Sequence, residues 1–231
     1  MKRVFLLACL LLVARATLAA APRSIESVYD LHYGGARIGE VKESFTRTDQ
    51  QYSIESTARA LGPLALVLPG PLMLSSKGEI TPEGLKPLAF SSRQGNNAKK
   101  TYFADFHWDN RILTLRKHDK QEEHELRPGT LDTLSLIYQF LFIPPTKGQT
   151  DFYLTTGKKL QRYAYRVIGE EQIKTPLGMI NAIHISKLVT EKSDASYDVW
   201  VDKDRFFVPV RVIAKDDGRI VEQVLRSINI N

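Results

Sequence analysis

Thr130 to Ile143 reads T-L-D-T-L-S-L-I-Y-Q-F-L-F-I, preceded by Pro128-Gly129 and stopped by Pro144-Pro145. The spacing predicts a helix. Leu131, Leu134, Tyr138 and Leu141 recur on one face, while Leu136, Ile137 and Phe140 cover much of the rest. Thr130 is placed to cap it, Asp132 complements the positive end of the dipole, and the double proline cannot continue the hydrogen-bond ladder. A helix apolar nearly all round is buried on several sides. At about 1.5 Å per residue it runs roughly 20 Å, too short to cross a bilayer. The rest of the chain must wrap it.

Outward from this segment the period changes to two. Tyr29, Leu31 and Tyr33 alternate with Val28, Asp30 and His32; Tyr102, Ala104, Phe106 and Trp108 alternate with Thr101, Phe103, Asp105 and His107. Phe206, Val208, Val210, Val212 and Ala214 do the same further on. Such alternation marks half-buried strands. Turn residues separate the runs at Gly34-Gly35, Pro82-Glu83-Gly84, Gly95-Asn96-Asn97, Asp109-Asn110, Pro176-Leu177-Gly178 and Asp216-Asp217-Gly218. The expected fold is mainly β: a curved antiparallel sheet or open half-barrel of about ten strands wrapped around one buried α-helix.

The N-terminus reads as an export signal. Met1-Lys2-Arg3 is basic, Val4 to Ala14 is apolar but too short to span a bilayer, and small residues follow at Ala19, Ala20 and Ala21. Residues 1–20 are therefore expected to be removed, leaving one β-rich domain over 21–231 in the periplasm. Leu6-Leu7-Ala8-Cys9 has too little apolar chain before it to be a lipid-attachment box. Cys9, the one cysteine among 231 residues, leaves with the signal, which excludes disulfides, cysteine zinc sites and thiol nucleophiles from the mature chain. Lys2, Arg3 and Arg15 leave too. The 32 Lys+Arg less these three are 29, against 26 Asp+Glu, so the net charge of +6 falls to +3. With 43% hydrophobic and 25% charged residues, disordered, collagen-like and polytopic membrane classes are excluded.

A second apolar stretch, Ala60 to Leu74, reads A-L-G-P-L-A-L-V-L-P-G-P-L-M-L. Its prolines and glycines prevent a long regular element. It is either a short crossover covering one end of the core or a hydrophobic flap where an apolar ligand enters a concave sheet. On the second reading Leu64, Leu66, Val67, Leu68, Leu72 and Met73 are the ligand contacts.

No reaction motif is present. There is no Gly-x-Ser-x-Gly elbow, no His-Glu-x-x-His helix and no glycine-rich nucleotide loop. Thr155-Thr156-Gly157-Lys158-Lys159 reads as a hairpin turn. His118 and His124 bracket Asp119, Glu122 and Glu123, but the mixed-charge run Lys117 to Glu125 reads as a solvated turn, so no metal or cofactor is expected. His107 and His184 read as strand residues. Glu170-Glu171, Asp202 with Asp204, and Asp216-Asp217 are carboxylate pairs that a glycosidase would need, yet turns account for the last two. Lys158, Lys159, Arg162 and Arg166 interleave with Tyr163 and Tyr165, and Lys99-Lys100 adjoins Tyr102. Export makes nucleic acid the wrong partner for them; anionic envelope lipid or polysaccharide fits better, and a solvated strand face is the plainer alternative.

An ordered series of short motifs runs through the chain: Gly78-x-Ile80, Gly84-Leu85-x-Pro87, Phe106-x-Trp108, Leu131-Asp132-x-Leu134-Ser135, Thr175-Pro176-Leu177-Gly178, Trp200-Val201-Asp202 and Val208-Pro209-Val210-Arg211, ahead of Asp217-Gly218. The series resembles a bacterial exported family, domain of unknown function 3108, over residues 25 to 230. The resemblance implies a secreted β-rich domain and no established activity. The stretch from Trp200 to Gly218 is also similar to a hairpin of the periplasmic lipoprotein carriers, which are half-barrels with helices closing an apolar cavity. The expected function is a non-catalytic periplasmic protein holding a lipid-like or amphiphilic ligand. An envelope assembly factor docking on another protein and a cell-wall glycan hydrolase are the alternatives.

Overall fold

The computed structural model describes residues 21–63, 65, 70–189 and 195–231. The expected export signal and Leu64, Leu66, Val67 and Leu68 lie outside the described residues. Among those described, one 15-stranded sheet contains β1 (Ser24–Tyr33), β2 (Ala36–Arg47), β3 (Gln51–Ala60), β4 (Leu72–Thr81), β5 (Gly84–Gln94), β6 (Thr101–His107), β7 (Ile112–Lys117) and β8 (Lys120–Glu125). It continues with β9 (Leu131–Asp132), β10 (Gln149–Thr155), β11 (Leu160–Thr175), β12 (Gly178–Lys187), β13 (Ser196–Asp202), β14 (Pro209–Asp216) and β15 (Arg219–Ile230). The spatial order is β8-β7-β6-β5-β4-β3-β2-β1-β15-β14-β13-β12-β11-β10-β9. Neighbours are antiparallel except β9, which lies parallel to β10. The helix α1 (Thr133–Tyr138) follows β9 and ends in a 3-10 turn, Gln139–Leu141.

The fold class is as expected, but about ten strands is too few. The edge strand β8 is wholly polar and mostly exposed, so it carries no alternation to read. Its charges suit an edge, where unpaired backbone otherwise invites another chain. β9 hides inside the helical period. The helix itself starts at Thr133, capped by Asp132 rather than Thr130, whose hydroxyl instead bonds the Arg127 carbonyl at 2.7 Å. β14 also begins later than its alternation suggests. Phe206 and Phe207 both have positive φ, 53° and 54°, a conformation bulky residues rarely hold. The buried Asp202 carboxylate fixes that turn, accepting from the Asp204 amide at 2.9 Å and from Arg205 Nε at 2.7 Å.

Register places the alternating apolar residues on one face. Phe45, Ile54, Phe90, Ala104, Phe106, Leu113 and Leu115 form one core cluster with Leu134, Tyr138 and Leu141. Leu136, on another side of α1, joins Leu154, Tyr165, Ile185, Val199, Val201 and Val212 from the second half of the sheet. The helix is thus gripped by both halves. Each fully buried Val, Leu, Ile or Phe side chain among them is worth about 1.5–3 kcal/mol.

No backbone ladder joins edges β8 and β9, so the half-barrel is open. Side chains of the helix segment close the seam instead. Ser76 of β4 donates to Asp132 at 2.6 Å, Tyr138 donates to Glu43 of β2 at 3.0 Å, and Gln139 grips the β4–β5 turn. In that turn Gln139 accepts from the Leu85 amide at 2.7 Å and donates to the Glu83 carbonyl at 3.0 Å. Gly84 makes this possible. Its φ is +102°, and a Cβ there would sit 2.2 Å from Gln139 Nε2. Gly84→Ala is expected to cost about 2–3 kcal/mol, measured by urea unfolding, because it adds backbone strain and unseats Gln139.

Alternating strand direction sorts the connections into two rims. The β1–β2, β3–β4, β5–β6, β7–β8, β10–β11, β12–β13 and β14–β15 connections leave at one end, here the upper rim. The β2–β3, β4–β5, β6–β7, β11–β12 and β13–β14 connections leave at the lower rim.

Candidate functional site

The most deeply buried polar groups belong to the scaffold. Asp132 is fully buried, and its carboxylate accepts from Ser76 Oγ and from the amides of Leu134 and Ser135. Ser135 Oγ in turn accepts from the Asp132 amide, completing a capping box. Tyr52 OH lies 3.1 Å from Ser76 Oγ. Glu43 accepts from Tyr138 and from Ser56 at 3.2 Å. Burial pushes both carboxyls above the usual range, and the hydrogen bonds only partly oppose it. Each carboxylate oxygen accepts from a structural donor, so these acids tie the strands and the helix together.

The other titratable candidates are likewise engaged. His184 stacks on Trp200 with ring centroids 4.2 Å apart. Its Nδ1 is 3.0 Å from Glu171 and its Nε2 is 2.9 Å from Asp198, which leaves neither nitrogen for a reacting group. Glu170 binds Lys203, Asp204 accepts from Asn181 at 3.1 Å, and Asp217 lies 3.9 Å from Arg219. His118 pairs with Asp119 at 2.7 Å on an exposed turn. Lys117 to Glu125, read as a solvated turn, is in fact the end of β7, that turn and β8. No group of three or more His, Asp or Glu able to hold a metal occurs among the described residues.

What remains is concave and apolar. At the lower rim, beside the C-terminal end of α1, a cleft of about 840 Å³ opens between the β4–β5 turn, the β6–β7 turn, residues 126–131 and β10. Leu85, Trp108, Leu126, Leu131, Phe140, Ile143 and Phe152 line it. Trp108 is fixed by donation from Nε1 to the Pro87 carbonyl at 2.7 Å, and Lys86 lies 5.7 Å from its ring centre. Tyr153 carries Arg127 over its ring at 4.9 Å and accepts its hydrogen bond at 2.7 Å. Arg111, also in the lining, is exposed, has positive φ (58°) and stands without an acidic partner among the described residues. Ile143 is 40% exposed. A volume of this size lies within the range of small-molecule sites, roughly 300–1,000 Å³.

A smaller apolar recess of about 240 Å³ lies at the upper rim, where Leu136, Leu154, Tyr163, Tyr165, Tyr197 and Ala214 meet. Of the flap contacts expected from sequence, Leu72 and Met73 fall among the described residues, both on β4. They do not converge. Leu72 pairs across to Ala58 and Gln94, and shares a face with Leu74, which packs on the core. Met73 points to the other face and is 36% exposed. Sequence reading missed the lower cleft. Its walls come from four separate connections, and the signal available was Pro144-Pro145, read as a helix stop and not as a wall.

Fold and site together define a β-barrel-like protein with a helix-filled interior and an open apolar cleft. A family model described as "Protein of unknown function (DUF3108)" matches residues 28–218, and the chain belongs to that family. No curated protein sequence matches it. Among solved structures, a β-barrel-like protein of domain of unknown function DUF1849 from Brucella abortus aligns with TM-score 0.56 at 8% identity. The alignment covers 92% of this chain and 100% of that one, and shows the fold. An exported protein with a YmcC-like fold from Bacteroides fragilis gives TM-score 0.40 at 11% identity, covering 90% of this chain and 96% of that one. An outer membrane lipoprotein-sorting protein domain from Vibrio parahaemolyticus gives 0.28 at 8%, covering 90% and 85%. The last two scores are too low to carry weight. No helix among the described residues is long and apolar enough to cross a membrane.

Proposed function

We propose that this protein is a non-catalytic, exported envelope protein that holds an amphiphile or lipid-like chain in the lower cleft. One observation carries the reading: an open cleft of about 840 Å³ walled by Trp108, Phe140, Ile143 and Phe152, with Arg111 at its margin. An apolar chain in the cleft buries aliphatic and aromatic surface that water now wets, and each methylene contributes about 0.8 kcal/mol. The side chain of Arg111 suits a polar or anionic head. The basic, apolar and small-residue order of residues 1–20 supports export to the periplasm, with residues 21–231 as one domain. The apolar flap read from the sequence, with Leu64, Leu66, Val67, Leu68, Leu72 and Met73 as ligand contacts, is a separate part of the proposal, resting on the composition of residues 60–74 alone.

Lipid extraction and mass spectrometry of protein purified natively from periplasm test the reading, together with titration of a fluorescent fatty acid. Ile143→Asp is expected to weaken probe binding at least tenfold with little change in melting temperature, since Ile143 is partly exposed and the carboxylate would be buried by the chain. Absence of both co-purified lipid and probe binding would sink the idea.

A further inference from the structure

The lower cleft and the upper recess lie at two ends of one seam, where α1 and its 3-10 turn pack on β10 and β11. Leu136 lines the recess and Phe140, about one helical turn later, lines the cleft. On β10 the side chains of Thr150, Phe152 and Leu154 share one face at about 7 Å spacing. The first two line the cleft and the third lines the recess. Between the two volumes a third, of about 30 Å³, is pinched beneath Pro145, Thr146 and Gly148. Phe140, Thr150 and Phe152 border both this pinch and the cleft, while Tyr165 borders both the pinch and the recess. Phe152 and Tyr165 meet there edge to face, with ring centroids 5.9 Å apart and planes at 66°. The shared walls are largely aromatic side chains, which a change of rotamer can move.

Polarity runs one way along this seam. At the lower end Arg111 is exposed and has no acidic partner among the described residues. At the upper end the lining is aliphatic, aromatic and hydroxyl-bearing, and burial pushes the Tyr165 and Tyr197 phenols above their usual range, so both stay neutral. Lys187 is the one charged residue in that lining; it donates to the Ala195 carbonyl at 2.8 Å and lies 4.5 Å from the Tyr163 ring centre. The recess therefore suits the apolar end of a ligand, and the margin of the cleft suits its head.

We propose that the ligand is a long, single-chain anionic amphiphile that threads the seam, with its head at Arg111 and its terminal carbons in the upper recess beyond Phe152 and Tyr165. This rests on the reading of the lower cleft as a lipid site, and adds the class of lipid and a second subsite. A passage opened by turning one ring admits one chain, which favours a fatty acid or a lysophospholipid over a two-chain lipid.

Chain length and the position of the tail test the proposal. Ala214 lines the recess and is absent from the lower cleft, so Ala214→Phe fills the recess with a residue that suits a strand. It is expected to weaken hexadecanoic acid at least tenfold and to leave octanoic acid within twofold, because only the longer chain reaches the recess. Ile143→Asp should weaken both. Hexadecanoyl lysophosphatidylglycerol is expected to follow hexadecanoic acid, and the tighter of the two tells a phospholipid source from a free fatty acid. In the unaltered protein, hexadecanoic acid with a terminal diazirine should cross-link to Tyr163, Tyr197 or Ala214, as mapped by mass spectrometry. Cross-links confined to the lower cleft, or an Ala214→Phe variant that folds and binds both acids like the parent, overturn the threading and leave the lower cleft as a lipid site. Failure of both acids to bind the parent protein removes the lower-cleft reading as well.

Discussion

Asp132→Ala is expected to lower folding stability by about 4 kcal/mol, read from the urea midpoint and slope. Asp132 serves three elements at once. It caps α1 by accepting from the Leu134 and Ser135 amides, it accepts from Ser76 on β4, and it forms half of the short β9 pairing with Thr155. Loss of a cap alone costs about 0.5–2 kcal/mol. Each buried donor left without a partner adds about 1–3 kcal/mol, and here water cannot replace the carboxylate, because Asp132, Ser76 and Ser135 are all fully buried. Asp132→Asn keeps an acceptor for the helix amides and is expected to cost about 1–2 kcal/mol. An alanine variant within about 1 kcal/mol of the parent would show that the seam is held by packing and not by this network.

Glu43 is the second large effect, and its sign depends on pH. Glu43→Ala is expected to cost about 3 kcal/mol at neutral pH, because Tyr138 and Ser56 lose their acceptor inside the core. Glu43→Gln is expected to be neutral or stabilising at the same pH. Burial raises the Glu43 carboxyl, so between its unfolded and folded values the folded protein binds more protons than the unfolded chain. The stability this group contributes is therefore greatest at low pH and is lost as pH rises through that window. Asp132 acts in the same direction. Glu40 and Asp151 act in the opposite one, since their arginine partners Arg226 and Arg162 hold them below the usual range. The difference between parent and Glu43→Gln, measured by urea unfolding from about pH 4 to pH 7, isolates the Glu43 part. The glutamine variant should gain on the parent as pH rises. A difference constant across that range would show that folding leaves the Glu43 carboxyl unshifted.

The motifs that carried the family resemblance take on physical roles in the fold. Leu131-Asp132-x-Leu134-Ser135 is the capping box that ties α1 to β4. Gly84-Leu85 is the turn gripped by Gln139, and Gly78 lies so close to β5 that a Cβ would meet the Lys86 carbonyl at 2.2 Å. Trp200-Val201-Asp202 supports the strained turn at Phe206 and Phe207. Each marks a close approach or a buried bond. These are the requirements of a scaffold, and they explain why no motif announced a reaction.

Strands with one wet face were legible because burial imposes a period of two on Tyr102, Ala104 and Phe106. β8 was not legible, since an exposed edge places no such demand on Lys120 to Glu125. The helix was legible as apolar and buried, but its start was not. Thr130 and Asp132 both have capping side chains, and the choice went to the one that also finds Ser76, a residue 56 positions away.

The chain's own order of residues determined the mainly β class and the wrapping of a sheet around an apolar helix. Local periodicity and composition suffice for those, because each element shows which side must leave water. Only the tertiary structure decided how the half-barrel is closed, where the cleft opens, and that Lys117 and Lys158 meet over Tyr102. Each of these joins residues from distant elements, and a pairing across the fold leaves no periodic trace in either partner.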